Sequence, residues 1–86
     1  MNVEELSKIT EPEKMAEEIH LLKKVGEQFF FSEKAGRLII GREYPFIENG
    51  QKSPYEDVMK HVSEVLGIRD RKSYEEVDRR YNLTMY

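Results

Sequence analysis

Two short apolar runs, Phe29-Phe30-Phe31 and Leu38-Ile39-Ile40, flank the turn-like segment Glu33-Lys34-Ala35-Gly36. This arrangement is typical of a β-hairpin. Side chains alternate between the two faces of a strand, so three consecutive phenylalanines place aromatic rings on both faces. A hairpin that is apolar on both faces needs a cover on each side.

The turn sequence predicts the register of the two strands. We predict a three-residue loop, residues 34–36, with Gly36 in the left-handed conformation, which makes Glu33 oppose Arg37. The two faces follow from this pairing. One face carries Phe29, Phe31 and Ile39, and the other carries Phe30, Leu38 and Ile40.

Helices are predicted on both sides of the hairpin. Four segments begin with a residue that can cap a helix and carry glutamate three positions later, which is the spacing of a capping box. These pairs are Asn2 with Glu5, Thr10 with Glu13, Ser53 with Glu56, and Ser73 with Glu76. Apolar residues recur at helical spacing over residues 11–25, where Leu21 widens the stripe predicted to be buried, and over residues 54–66. A glycine follows each segment. Shorter helices are predicted near residues 3–9 and 73–81.

The sequence therefore predicts an α+β fold with a single domain spanning residues 1–86. A small antiparallel β-hairpin or three-stranded sheet is packed by the two amphipathic helices, and short terminal helices complete it. Pro45 has no N–H to donate to a strand ladder, so residues 44–47 form either an edge strand or an extended connector, and the turn pair Asn49-Gly50 ends it. The pattern leaves open whether residues 44–52 form a third strand.

Composition bounds the class of protein. The 86 residues are 38% hydrophobic and 36% charged, with a net charge of −3 and no cysteine. A disulfide framework and a thiolate metal site are therefore excluded, which favours a reducing, cytoplasmic setting. No apolar stretch approaches the roughly 18 residues of a membrane span, and no basic region followed by an apolar run opens the chain. We expect no membrane association.

No pattern of residues predicts catalysis. The histidines His20 and His61 each lie inside a predicted helix, without a second histidine or a paired acid at metal-ligand spacing. We interpret both as helix-surface or boundary residues. The chain is thus expected to be no enzyme and to bind no metal or cofactor.

The two-faced hairpin leads instead to a prediction of protein binding. We expect a small non-catalytic regulator, adaptor or inhibitor of bacterial or phage type, which forms a homodimer through its hairpin and can also contact another protein. Tyrosine suits such contacts because it combines a large ring with a polar tip. The candidate interaction residues are Phe29, Phe31 and Ile39 on the hairpin, with Tyr74 and Tyr81 near the C-terminal end.

Residues 3–43 also carry a second pattern: a short helix, a proline-bearing turn, a longer helix and a hairpin. This order resembles the helix-turn-helix and wing of winged-helix domains. The resemblance implies DNA contacts from Lys14, Lys23 and Lys24 on the second helix, with Lys34 and Arg37 at the wing. The first two turns of that helix also carry Glu11, Glu13, Glu17 and Glu18, which would repel phosphates. A DNA-binding regulator is therefore the alternative, and nucleic acid is not the expected partner.

Overall fold

The computed structural model describes residues 2–84, and these form an α+β fold as predicted. A 3-10 helix (Val3–Lys8) precedes α1 (Pro12–Lys24), and the strands β1 (Phe29–Ser32) and β2 (Arg37–Ile40) follow. A second 3-10 helix (Gly41–Glu43) then leads into α2 (Tyr44–Glu48), α3 (Glu56–Leu66) and α4 (Arg71–Tyr81). The two strands pair antiparallel.

The register of the hairpin differs by one residue from the predicted register. Ser32 pairs with Arg37, so the loop contains four residues, 33–36, and the predicted three-residue loop is wrong. Gly36 is left-handed as predicted, with a φ of 68°. However, the hydroxyl of Ser32 accepts the Ala35 N–H at 3.0 Å, and its carbonyl accepts the Gly36 N–H at 2.8 Å. These bonds close the turn at Ser32.

The changed register moves the side chains of β2 to opposite faces, as any one-residue shift does. The inner face carries Phe29, Phe31, Leu38 and Ile40, which all belong to the hydrophobic core. The outer face carries Phe30 and Ile39. The predicted grouping of Ile39 with Phe29 and Phe31 is therefore wrong, and only two large apolar side chains need a cover on the outer face.

That cover is supplied by residues 41–53, which we call the cover segment. The predicted edge strand or extended connector at residues 44–47 is wrong, because α2 (Tyr44–Glu48) forms there. Pro45 lies in the first turn of this helix, where its missing N–H has no intrahelical partner to lose. The ring of Tyr44 lies 6.0 Å from the ring of Phe30, which places the segment against the outer face.

Several predicted helix ends are confirmed. The side chain of Asn2 accepts the Glu5 N–H and the side chain of Glu5 accepts the Asn2 N–H, as a capping box requires. At the end of α3, Gly67 is left-handed and the Ile68 N–H donates to the Ser63 carbonyl at 2.8 Å. This is the Schellman-type ending that glycine permits.

Three predicted helix starts are wrong. Thr10 does not cap α1, whose N-cap is Glu11 without a side-chain bond. Ser53 is not the N-cap of α3, which begins at Glu56 with Tyr55 as its N-cap. The Ser53 hydroxyl instead donates to Glu43 and accepts the Tyr55 N–H at 3.2 Å in the turn before the helix. Helix α4 begins at Arg71 because Asp70 accepts the Ser73 N–H at 2.8 Å. The Ser73 hydroxyl in turn accepts the Asp70 N–H at 3.0 Å.

Helix α3 lies at the centre of the molecule. It contacts β2, the first 3-10 helix and α1. Its apolar face buries Met59 and Val62 fully, against Leu6 from the 3-10 helix and Ile19 from α1. The inner face of the hairpin therefore packs on a core that both predicted amphipathic helices build.

Candidate functional site

The predicted hairpin contact residues lie inside the protein. The exposed fraction is 4% for Phe29, 7% for Phe31 and 0% for Ile39. The two phenylalanines face the core, and Ile39 lies on the face that the cover segment shields. These residues therefore stabilise the fold and form no exposed apolar face.

A buried ion pair fastens the cover segment to the hairpin. The guanidinium of Arg37 donates to both carboxylate oxygens of Glu43, at 3.0 and 3.1 Å, and the Ser53 hydroxyl donates to the same carboxylate. We call Arg37, Glu43 and Ser53 the clasp. The side chain of Glu43 is fully buried and that of Arg37 is 8% exposed. Buried charges persist only when paired in this manner.

The clasp also helps to close the outer edge of β2. The Ile40 N–H donates to Glu43 at 3.3 Å, and the Leu38 N–H donates to the Ser63 hydroxyl at 3.0 Å. Both N–H groups point away from β1 and would otherwise be available to another strand. No local sequence pattern predicts the clasp. The one signal is Arg37 itself, because an arginine among apolar strand residues needs an acidic partner if it is buried.

Tyr74, a predicted interaction residue, contributes to the core. It is 7% exposed, and its ring stacks on that of Phe31 with centroids 5.4 Å apart. The guanidinium of Arg71 lies 5.0 Å from the centre of the Phe31 ring. Burial raises the pKa of the Tyr74 hydroxyl, as expected when the phenolate loses hydration.

Tyr81, the remaining predicted interaction residue, lies at an open groove between α1 and α4. The groove has a volume of about 550 Å³. We call it the α1–α4 groove, and its lining residues are Glu13, Ala16, Glu17, His20, Leu21, Arg80 and Tyr81. Of the five predicted interaction residues, only Tyr81 lines it.

Hydrogen bonds between α1 and the end of α4 set the shape of this groove. His20 Nε2 lies 2.6 Å from the Tyr81 carbonyl oxygen, and the Tyr81 hydroxyl donates to Glu13 at 3.1 Å. The ammonium group of Lys23 donates to the carbonyls of Asn82 and Leu83. Burial lowers the pKa of Lys23, because desolvation penalises its charged form. The walls of the groove are therefore fixed to each other.

Apolar side chains are exposed in the groove and next to it. Leu21 lines the groove and is 51% exposed, and Val25, the residue that ends α1 one helical turn further on, lies outside the lining and is 78% exposed. Within residues 2–84, no ion-pair partner lies near Glu17, Lys24 or Arg80. The surface thus combines an apolar ridge with unpaired charges of both signs, and sequence reasoning missed it because Leu21 was read as part of the buried stripe.

The side chains that line the groove are acidic, basic, aromatic and aliphatic. Its histidine contacts a backbone carbonyl, and its lining includes no serine, threonine or cysteine that could serve as a nucleophile. In the part of the chain that the structure describes, no three histidine, cysteine or acidic side chains come together as a metal site would require.

Four of the five cations that the winged-helix resemblance assigns to DNA have partners within the protein. Arg37 is buried in the clasp, and Lys34 lies 3.9 Å from Glu48. Lys14 lies 3.3 Å from Glu18, and Lys23 bonds to backbone carbonyls. Within residues 2–84, the side chain of Lys24 has neither an ion-pair nor a hydrogen-bond partner. These contacts give the DNA-binding alternative no support.

No protein-family model, curated protein or solved structure matches this chain. Among residues 2–84, every helix is too short or too polar to cross a bilayer.

Proposed function

We propose that this chain is a small non-catalytic protein-interaction protein of the regulator or adaptor class. It binds its partner through the α1–α4 groove and the adjoining ridge of Leu21 and Val25, while the hairpin serves the fold. The exposure of Leu21 and Val25 beside a groove of about 550 Å³ is the observation that carries this proposal.

The groove supports binding for two reasons. Contiguous exposed apolar side chains beside polar groups are typical of interaction sites. The walls are also held in place by the contacts of Tyr81 with Glu13 and His20, so little ordering is required when a partner binds. A preformed surface of this kind loses less conformational entropy on association than a flexible one.

Site-specific photocrosslinking tests the proposal. A photoreactive phenylalanine analogue is placed at residue 21 or, as the matched control, at residue 44. Leu21 and Tyr44 are 51% and 50% exposed, so the two positions offer nearly equal access to solvent. Tyr44 lies on the cover segment and does not line the groove.

We expect covalent protein adducts from position 21 in cells and in lysate, and clearly fewer from position 44. The added substitution Tyr81→Ala, which opens one wall of the groove, should reduce the adducts at position 21. Equal yields at the two positions would refute the assignment of this surface. Adducts from position 44 alone would move the contact surface back to the hairpin side of the molecule.

A further inference from the structure

We infer that the occupant of this surface is a second copy of the chain, with the two α1 helices packed antiparallel about a two-fold axis near Leu21. This inference rests on the proposed function, because it names the partner of the same surface. It also replaces the hairpin faces, which are buried, as the contact of a homodimer.

The charges on the surface favour self-association. A two-fold interface brings a surface against itself, so it must complement its own charge pattern. A surface of one sign would repel its copy. Here Glu13 and Glu17 carry negative charge, while Lys24 and Arg80 carry positive charge, and all four side chains are exposed. The formal charges of this surface cancel, as a self-complementary contact requires.

The order of these residues along α1 fits an antiparallel pair. Glu17 lies four residues before Leu21 and Lys24 lies three residues after it. At a rise of about 1.5 Å per residue, these positions are roughly 6 and 5 Å from the Leu21 level along the axis. Reversing the second helix about Leu21 therefore sets Glu17 of each copy beside Lys24 of the other.

The apolar ridge provides the centre of the same contact. Leu21 lies on the outward side of α1, whereas Met15, Ile19 and Leu22 face the core. Val25, the exposed C-cap residue of α1, follows four residues after Leu21. In the antiparallel pair, the two Leu21 side chains meet near the axis, and each Val25 lies toward Glu17 of the other copy. A small interface with an apolar centre and charged rim results, which is typical of a weak, reversible dimer.

Sedimentation equilibrium with charge-swapped variants tests the inference. The purified wild-type chain, Glu17→Lys and the double variant Glu17→Lys/Lys24→Glu are compared at low salt and at concentrations up to about 1 mM, because small interfaces bind weakly. The control is Glu76→Lys, which makes the same charge change at an exposed position of α4 outside the groove.

We expect the wild type and Glu76→Lys to form dimers with similar dissociation constants. Glu17→Lys should weaken the dimer roughly tenfold, because both symmetry-related attractions become repulsions. The double variant should restore the wild-type constant to within about twofold, since each copy then offers the reversed pair. Only a second copy reverses its charges together with the first, so this rescue is specific to self-association.

A wild-type chain that stays monomeric at the highest concentration would overturn the inference, and so would a double variant that fails to recover. The proposed function is judged separately. Photocrosslinks from position 21 to a different protein would leave it standing while the homodimer fails, whereas equal crosslinking at positions 21 and 44 would remove both.

Discussion

The clasp and the α1–α4 groove both place glutamate and arginine beside apolar side chains. In the clasp these charges are paired and buried, whereas in the groove they are exposed. In the clasp, Arg37 and Glu43 pair at 3.0 Å and are buried together with Ile39. In the groove, Glu17 and Arg80 have no described ion-pair partner, and Leu21 is half exposed. The same residue types therefore stabilise the fold in one place and remain available to a partner in the other.

Chain connectivity explains this difference. The cover segment follows β2 directly, so folding it back over the hairpin closes only a short loop and costs little entropy. The outer side of α1 has no such neighbouring segment, because the residues that follow α1 form β1. An apolar hairpin with two faces thus needs no second molecule, whereas the ridge on α1 has none of the described chain to cover it.

The largest effect should come from breaking the clasp. Glu43→Ala removes the acid that both guanidinium nitrogens of Arg37 contact and leaves Glu56, 4.0 Å away, as the remaining acid beside the buried charge. The free energy of unfolding should fall by about 3 kcal/mol. Urea unfolding followed by circular dichroism measures this loss. The control is Glu48→Ala, which removes an exposed acid from the same segment and should cost less than about 1 kcal/mol. Similar losses in both variants would show that the clasp does not hold the cover segment.

A smaller loss of stability is expected from a substitution at the outer edge of β2. Ser63→Ala removes the hydroxyl that accepts the Leu38 N–H, and both residues are buried. The unsatisfied N–H should lower the free energy of unfolding by about 1–3 kcal/mol. Ser7→Ala is the control, because the Ser7 hydroxyl bonds to a backbone carbonyl in an exposed position. An unchanged unfolding midpoint for Ser63→Ala would mean that this edge needs no partner.

The N-terminal cap of α4 should stabilise the protein less as the pH falls. Hydrogen bonds from the backbone and side chain of Ser73 hold the pKa of Asp70 below its ordinary value. A lowered pKa in the folded state stabilises the protein above the unfolded-state pKa of about 3.9, and this contribution is lost as the pH falls through the folded-state value.

The matched variant for this effect is Asp70→Asn, which keeps a capping oxygen without a titrating charge. We expect the wild type to have the higher thermal midpoint near pH 6, with the difference shrinking toward pH 2. A difference that stays constant over this range would contradict the role of the carboxylate in capping α4.

The smallest effect on stability should come from the ridge beside the groove. Leu21→Ser removes a half-exposed side chain with few native contacts, so the free energy of unfolding should change by no more than about 0.5 kcal/mol. Thermal unfolding measures it at low protein concentration, where self-association does not contribute. A large loss would show that Leu21 belongs to the core and would remove the contrast with the clasp.

Helices and strands were easier to predict from the sequence than the strand register and the way in which these elements pack. The hairpin and the amphipathic helices of residues 11–25 and 54–66 were predicted because periodic apolar spacing is a local signal. The register was wrong because the Ser32 hydroxyl closes the turn one residue earlier than the glycine rule alone predicts. The prediction of extended backbone at residues 44–47 was wrong because Pro45 is compatible with both a strand edge and the first turn of a helix.

The candidate site was less predictable than the fold. Tyr81 was chosen because tyrosine suits interfaces, and it does line the groove. Its contacts with Glu13 and His20 join residues 68 and 61 positions apart in the chain. Leu21 was placed with the buried stripe because helical spacing cannot tell which side of a broad apolar face remains uncovered.

The sequence by itself determined the features that depend on one residue and its neighbours. Gly36, Gly67 and Asn82 adopt left-handed conformations because these residues tolerate a positive φ, and Asn2 with Glu5 forms its capping box within a single turn. Only the tertiary structure decided that Arg37 meets Glu43 in a buried pair and that α4 meets α1 to form a groove. Such contacts depend on how whole elements pack, and the side chains that meet carry no local signal of their partner.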